Sequence, residues 1–320
     1  MAEPITRLTL FVPGAPASAG AWSNALEPGG LHIERDVLRG NGLDAAVEVE
    51  WVENDGGFGA AFSFGTVAPA VVQALEAAPG GLVLHWQVDL REGRQQVVAV
   101  VERLRDAGAL AVRIEQSHLG WEVSRWLELF SSINARSWHT GAVVFLTGEG
   151  VMQSCGMHAF SLPDVQVRLD GASEGLKELA SELNVYQLAE DPMILSGQTF
   201  APDRETPRRV VERWPDIQYP PAHSCHNPYG VWRLGPPGGS ARPMGKLLPV
   251  FIPALHALLA AREKAGEALT KQQVESTRDQ GACITMDPRD AQKLERARGY
   301  SDLDPELVWE QWQVVRDKES

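Results

Sequence analysis

The residues best equipped for chemistry in this chain are its cysteines and histidines, and they gather in two places. In the run His223-Ser224-Cys225-His226 two imidazoles and a thiol fall within four residues, and Cys155 with His158 forms a second grouping. Imidazoles and thiolates are zinc ligands, and a thiolate beside an imidazole is a nucleophile. A zinc site usually takes its ligands in pairs such as Cys-x-x-Cys, so that both side chains can turn toward one ion. Here His223 and Cys225 are separated by one residue and Cys225 and His226 by none, which aims consecutive side chains apart. The run is therefore read as a polar loop closed by Asn227-Pro228, and no metal is assigned. Cys155 precedes Gly156 without any nucleophile signature around it, and a buried inert cysteine is the commoner role.

A third candidate is the glycine-rich stretch at residues 56–65, GGFGAAFSFG. It has the glycine content of a phosphate cradle but no lysine, and Glu48, Glu50, Glu53 and Asp55 just upstream would repel phosphate. It reads as a mobile loop whose phenylalanines are either core residues or an apolar anchor for a partner, and aromatics ordinarily bury. The acids have the same double reading. Charged outward positions on a strand normally discourage edge pairing, but a cluster of them can also meet a basic partner surface. The candidate partner-binding set is thus Glu48, Glu50, Glu53, Asp55, Phe58 and Phe62. The chain carries no G-x-S-x-G, no Gly-Lys-Ser/Thr phosphate loop, no H-E-x-x-H and no G-x-G-x-x-G, so no cofactor is expected.

Elements that would position these residues follow from periodicity. Residues 6–12 alternate as a strand ending at Pro13-Gly14, and residues 47–54 (VEVEWVEN) put Val47, Val49 and Trp51 on one face with Glu48 and Glu50 on the other. Residues 67–77 predict a helix stopped by Pro79. Strand 81–90, helix 95–107 and strand 109–115 make a βαβ candidate. A helix over 121–130, strands over 141–147 and 157–169, the latter broken by Pro163, and a helix over 173–188 follow. A Pro/Gly/Arg-rich region then contains a strand at 231–234, and Pro236-Pro237-Gly238-Gly239-Ser240 is the strongest linker signal. Beyond it helices are predicted over 247–268, 271–279, 288–298 and 305–316, with Asp287 and Asp304 capping the prolines that follow them. The expected fold is α/β, a mixed sheet with flanking helices, plus a C-terminal helical unit. Residues 1–240 form the α/β domain, with a possible split into two subdomains near 150, and residues 241–320 dock on it.

Composition narrows the function. With 320 residues and 44% hydrophobic content the chain can bury a sizeable core. No run reaches the roughly 18 apolar residues of a membrane span, and the start lacks the basic and apolar pattern of a secretory signal. Three widely spaced cysteines do not make a disulfide framework, so reduced thiols and a cytoplasmic setting are expected. The formal charge is −13. Residues 1–240 hold 17 Lys/Arg against 29 Asp/Glu, a net −12, whereas residues 241–320 hold 12 against 13, a net −1. Such a field disfavours direct nucleic-acid binding and favours a basic partner facing the first part.

The stretch from LHWQVDL through CGMHAFSLPDVQV, with VYQLAEDPMILSGQTF and NPYGVWRLGPP, resembles a bacterial family without assigned chemistry. Its members share a GM-x-x-F-x-LPD segment, here Gly156, Met157, Phe160, Leu162, Pro163 and Asp164, and occur beside polymorphic toxins and type VI secretion clusters. The resemblance covers about residues 80–240. Residues 278–313 are similar to a helical appendage of other proteobacterial proteins. What the resemblance implies is the role of a type VI immunity protein: binding a cognate secreted nuclease and blocking its active site or its oligomerisation. It brings no catalytic residues, and Asp164 can equally cap a turn after Pro163. An enzyme of unfamiliar type using the Cys/His groupings, or a structural adaptor in a secretion cluster, are the alternatives.

Overall fold

Strand β1 (Leu8–Gly14) is apolar on both faces, with six of its seven residues buried, and a strand of that kind belongs in the middle of a sheet. The computed structural model describes residues 8–43, 46–148, 150–169, 175–241, 247–264 and 268–319. After β1 come α1 (Ala19–Leu26), β2 (Leu31–Glu34), β3 (Val37–Gly40), β4 (Val47–Glu53), α2 (Phe58–Ala61), β5 (Gly65–Thr66), α3 (Pro69–Ala77) and β6 (Gly80–Trp86). Then follow α4 (Arg94–Asp106), β7 (Ala111–Ile114), β8 (Leu119–Glu122), α5 (Val123–Ser131) and α6 (Ala135–Ala142). The strands form one sheet in the order β2-β3-β4-β6-β1-β7-β8-β5. The expected βαβ unit is present as β6-α4-β7, but its two strands are not neighbours. β1 runs between them, antiparallel to both, with Leu10 opposite Leu84 on one side and Ile114 on the other. Periodicity identifies strands without saying who pairs with whom, and the doubly buried β1 needed a partner on each edge.

One face of this sheet, carrying Leu8, Leu10, Val12, Leu82, Leu84, Val47 and Val49, is buried. The helices add Trp22 and Leu26 from α1, Val97, Val100, Val101 and Leu104 from α4, and Trp126 and Phe130 from α5. Full burial of each such side chain contributes about 2 kcal/mol. On the other face Phe11 packs with Phe58, Phe62 and Leu75. The helix expected from 121 starts at Val123, because Trp121 lies on β8 and donates its indole N–H to the Gly141 carbonyl at 3.0 Å. Residues 135–142 are helical, so the strand expected from 141 begins at Val144.

The chain divides into two compact units. One is Thr6–Val144 together with Cys155–Ser161; the other takes Phe145–Ser154 and the chain from Leu162 on, so residues 241–320 fall within it. The segment 155–161 is a 3₁₀ turn over Met157–Phe160, where a strand was expected. It is tied into the first unit by the Cys155 thiol on the Gln116 carbonyl (3.2 Å) and the Leu90 N–H on the Ala159 carbonyl (2.9 Å). Gly156 has φ +125°, and a Cβ there would lie 2.1 Å from the Ala142 carbonyl oxygen.

The second unit contains β9 (Val144–Gly148), β10 (Val151–Cys155), β11 (Asp164–Arg168), α7 (Leu176–Glu190), β12 (Gln198–Phe200), β13 (Arg209–Trp214) and β14 (Val231–Pro237). Their order is β12-β13-β14-β11-β10-β9, with β11 parallel to β14. Leu176, Leu179, Ala180 and Leu183 fall on one stripe of α7 and pack on Val165, Val167, Val211, Trp232 and Leu234. Pro237, read as linker, still pairs with Arg209 at the end of β14, and residues 242–246 lie outside the described ones.

From Leu247 on, the expected long helix is divided. Pro249 and Pro253 cannot sit inside a helix, so Leu248–Phe251 forms β15 and α8 runs only over Leu255–Lys264. Then come α9 (Lys271–Gln280), β16 (Cys283–Met286), which pairs with β15, α10 (Pro288–Arg298) and α11 (Val308–Glu319). The last strand pair makes this part helical with a small two-stranded sheet. Phe251, Leu255, Leu259, Val274, Leu303 and Trp312 form its core. The Gln311 amide donates to the Arg213 carbonyl (2.7 Å), and the Ser301 N–H to that of Pro228 (3.0 Å). Asp287 and Asp304 cap as expected, accepting from Arg289 N–H and Glu306 N–H. Among the described residues no helix is long and apolar enough to cross a membrane.

Asp302 caps α8 from outside it, accepting from the N–H groups of Leu255 (2.6 Å), His256 (3.1 Å) and Leu303 (2.8 Å). Burial alone would raise its pKa, but the hydrogen bonds from the His256 side chain and those N–H groups hold it below its usual 3.8. Its stabilisation is therefore present above that value and lost as pH falls through the lower folded one. Asp302→Ala is expected to cost about 1–2 kcal/mol at neutral pH, with the loss shrinking in strong acid, as read by urea unfolding. Gly156→Ala, strained and in collision with a carbonyl, is expected to cost about 3 kcal/mol, and a midpoint within error of wild type contradicts that account.

Candidate functional site

β4 alternates as its sequence requires, burying Val47 and Val49 and leaving Glu48 and Glu50 exposed. The register extends this into a row across four neighbouring strands. Glu34 on β2 lies opposite Val37 on β3, Val37 opposite Glu48 on β4, and Glu48 opposite His85 on β6. His85 continues the row to Thr9 on β1, whose hydroxyl is 3.3 Å from its Nδ1. The His85 Nε2 lies 4.0 Å from a Glu50 carboxylate oxygen. Strand spacing sets Glu34 about 10 Å from Glu48, and the exposed Arg39, two residues past Val37 on β3, shares this face with them. Glu34 arrives there because Arg35 and Asp36, both at positive φ (49° and 59°), make the two-residue turn that brings β3 back along β2.

The other sequence candidates part company with this row. Glu53 is exposed at the end of β4 with the opposite parity, and Asp55 lies beyond the strand, its carboxylate accepting the Gly57 N–H at 3.0 Å. Residues 56–65 contain the short helix α2 in place of a mobile loop, and Phe58 and Phe62 are 5% and 3% exposed. Phe58 meets Phe11 edge-on at 4.9 Å between centroids. Neither ring can serve as a surface anchor, because the Phe11 face of the sheet needed covering; only Phe64, 54% exposed, presents a ring to solvent. Glu34 and His85 were missed, since nothing in β2 or β6 alone says that they pair toward β4.

The cysteine and histidine groupings are engaged in backbone structure. The Cys225 N–H donates to His223 Nδ1 (3.1 Å), His223 stacks on Tyr219 (4.7 Å), and His226 Nδ1 lies 3.1 Å from the Tyr219 carbonyl. Cys225 is buried and His223 exposed. Cys155 and His158 are buried in the first unit. Among the described residues no group of three or more His, Cys, Asp or Glu is arranged to hold a metal ion.

Asp164 opens β11 at full burial, and its Oδ1 accepts the Ser154 hydroxyl (2.9 Å) while its Oδ2 accepts the Asn227 amide (2.6 Å). The Asn227 backbone N–H donates to a second buried carboxylate, Asp216 (2.9 Å), which also accepts from Gln218 N–H (2.9 Å) and the Gln153 amide (3.2 Å). From Gln153 the chain of donors runs back through Gln166 (2.8 Å) to Arg233 (2.9 Å), whose guanidinium lies 4.0 Å over Trp214. Burial and the charge of Arg168 lower the Arg233 pKa to about 10. Burial, reinforced by the Asp164 carboxylate, raises that of Asp216 against its hydrogen bonds. Asn227 thus bridges two acids in the interior, which fixes the loop between β13 and β14 onto β10 and β11.

Compared with protein-family models, curated proteins and solved structures, the chain finds no match.

The arrangement therefore offers two kinds of chemistry. The open acidic row can attract and orient a basic surface, whereas burial shifts Asp216 toward its protonated form. With its pKa raised, Asp216 contributes stability that is fully present below about pH 3.8 and lost as pH rises through its folded value. Asp216→Asn replaces one acceptor with a donor and is expected to cost about 1–3 kcal/mol. The gap between wild type and variant should be widest in acid and narrow toward neutrality; urea unfolding of both at matched pH checks this, and a gap that widens with pH contradicts it.

Proposed function

We propose that this chain is an immunity protein that binds and neutralises a cognate secreted nuclease toxin, of the type VI effector class, in the cytoplasm of the producing cell. The observation that carries the reading is the group of Glu34, Glu48 and Glu50, which stand exposed on the part of the Phe11 face that lies toward β2. A nuclease must present a basic surface to hold phosphates, and a row of carboxylates on a rigid sheet matches that field without strain. The excess of 29 acids over 17 bases in residues 1–240 extends the attraction beyond contact range and favours fast association. Binding covers either the active site or the surface through which the toxin assembles.

Co-expression with the nuclease encoded beside it tests the reading: the wild-type chain is expected to restore growth and to co-elute with the toxin on gel filtration. Glu48→Lys with Glu50→Lys is expected to slow association by roughly tenfold at low salt, with the difference closing at high salt. A wild-type chain that gives neither rescue nor a complex removes the proposal.

A further inference from the structure

β15 and β16 make a ribbon of two strands, four residues each, and no other described strand joins them. A pair this short has little stability of its own and needs a further strand or a packed face. The register shows which main-chain groups are left over. The Ile252 N–H donates to the Ala282 carbonyl (2.9 Å), so the bonded pairs are Ile252 with Ala282, Val250 with Ile284 and Leu248 with Met286. Pro249 and Phe251 therefore turn their main-chain groups out of one edge, and Cys283 and Thr285 turn theirs out of the other.

The two edges differ. On β15, Pro249 has no N–H to offer, and the Phe251 carbonyl accepts from the Arg298 guanidinium (3.4 Å). That edge is closed by a proline and a charge, which are common protections against stray pairing. On β16 the outward N–H and C=O groups of Cys283 and Thr285 meet no partner among the described residues, and Cys283, Ile284 and Thr285 are all exposed. The strand carries no proline and no charge. One face of the ribbon, made by Leu248, Val250, Ile252, Ala282, Ile284 and Met286, is apolar throughout, with Ile252 48% and Ile284 44% exposed.

Self-complementarity selects the occupant. An edge that offers an N–H and a C=O at each of two residues two positions apart matches itself when turned through a two-fold axis. With Ile284 on the axis, Cys283 of each copy meets Thr285 of the other, and both hydrogen bonds of an antiparallel bonded pair are made twice. Moving the axis toward Cys283 would call on Gly281, whose N–H already donates to the Arg278 carbonyl (3.2 Å). Moving it toward Thr285 would call on Asp287, whose carbonyl already accepts from the Asp290 and Ala291 N–H groups (3.0 Å each). Charge permits the approach here: residues 247–254 and 281–286 hold no charged side chain, and residues 241–320 are net −1 against −12 for residues 1–240.

We infer that β16 pairs antiparallel with β16 of a second copy of this chain, making a four-stranded sheet with one continuous apolar face about a two-fold axis at Ile284. This contact does not depend on the acidic group of the first unit.

Sedimentation of the full-length protein over a range of concentrations tests it. The wild-type chain is expected to reach a dimer, and Ile284→Lys, which sets two like charges on the axis, is expected to weaken that dimer at least about tenfold. Crosslinking with copper phenanthroline checks the register. In a Cys283→Ser background, Ile284→Cys is expected to give a disulfide-linked dimer, since residues on the axis stand about 4.5 Å apart. The wild-type Cys283 is expected to give none, because its two copies lie diagonally at about 8 Å. All three substitutions replace exposed side chains, and matching circular dichroism spectra separate loss of pairing from loss of fold. A wild-type monomer at the highest soluble concentration overturns the inference, as does one whose β16 edge is taken by a strand of another protein. So does a dimer that Ile284→Lys leaves intact, or oxidation that links the wild-type Cys283 and not Ile284→Cys.

Discussion

Two carboxylates buried within one loop's reach of each other would make the second unit's interior untenable if either stood without donors. Asn227 resolves this by giving its side-chain amide to Asp164 and its backbone N–H to Asp216. Because the acids and their donors come from β10, β11 and the loop before β14, the arrangement exists only when all three are in place. An apolar core would tolerate small shifts in how those strands meet, whereas hydrogen bonds of 2.6–2.9 Å do not. The parallel pairing of β11 with β14, an unusual neighbour for an otherwise antiparallel sheet, is held at its start by this contact.

Much of the local structure was legible because local physics determines it. The Asp-Pro steps at 287–288 and 304–305 announced helix starts, since proline suits the first turn and aspartate satisfies the exposed N–H groups. The alternation of β4 showed which of its side chains face out. What could not be read was partnership over distance. That β1 would part β6 from β7 depends on residues some seventy positions away, and the hidden strand at Leu248–Phe251 depends on Cys283–Met286 coming to meet it. The prolines at 249 and 253 were the available signal against a helix there.

The candidate site follows the same division. Glu48 and Glu50 could be placed on one face from spacing alone, and the same spacing puts Glu53 on the other, but Asp55 could not be placed, since parity ends where the strand does. Phe58 and Phe62 lie in a glycine-rich stretch that looked open, and they are closed over Phe11 because one half of that sheet face lacked any other cover. Glu34 and His85 join the row only through the register of four strands.

The exchange of Cys155–Ser161 into the first unit sets an order on synthesis. When Val144 has been made, that unit still lacks seven of its residues, including the Ala159 carbonyl that receives the Leu90 N–H. By the time those residues emerge, β9 and β10 have emerged with them, ahead of β11 and β14, which complete their sheet. The first unit is therefore complete only once Ser161 has been made, with the first ten residues of the other unit's sheet, 145–154, already looped out between its two parts. A cut after Ser161 keeps the first unit whole only by carrying Phe145–Ser154 of the other along with it, and a break anywhere between 145 and 161 leaves each fragment holding part of the other's structure.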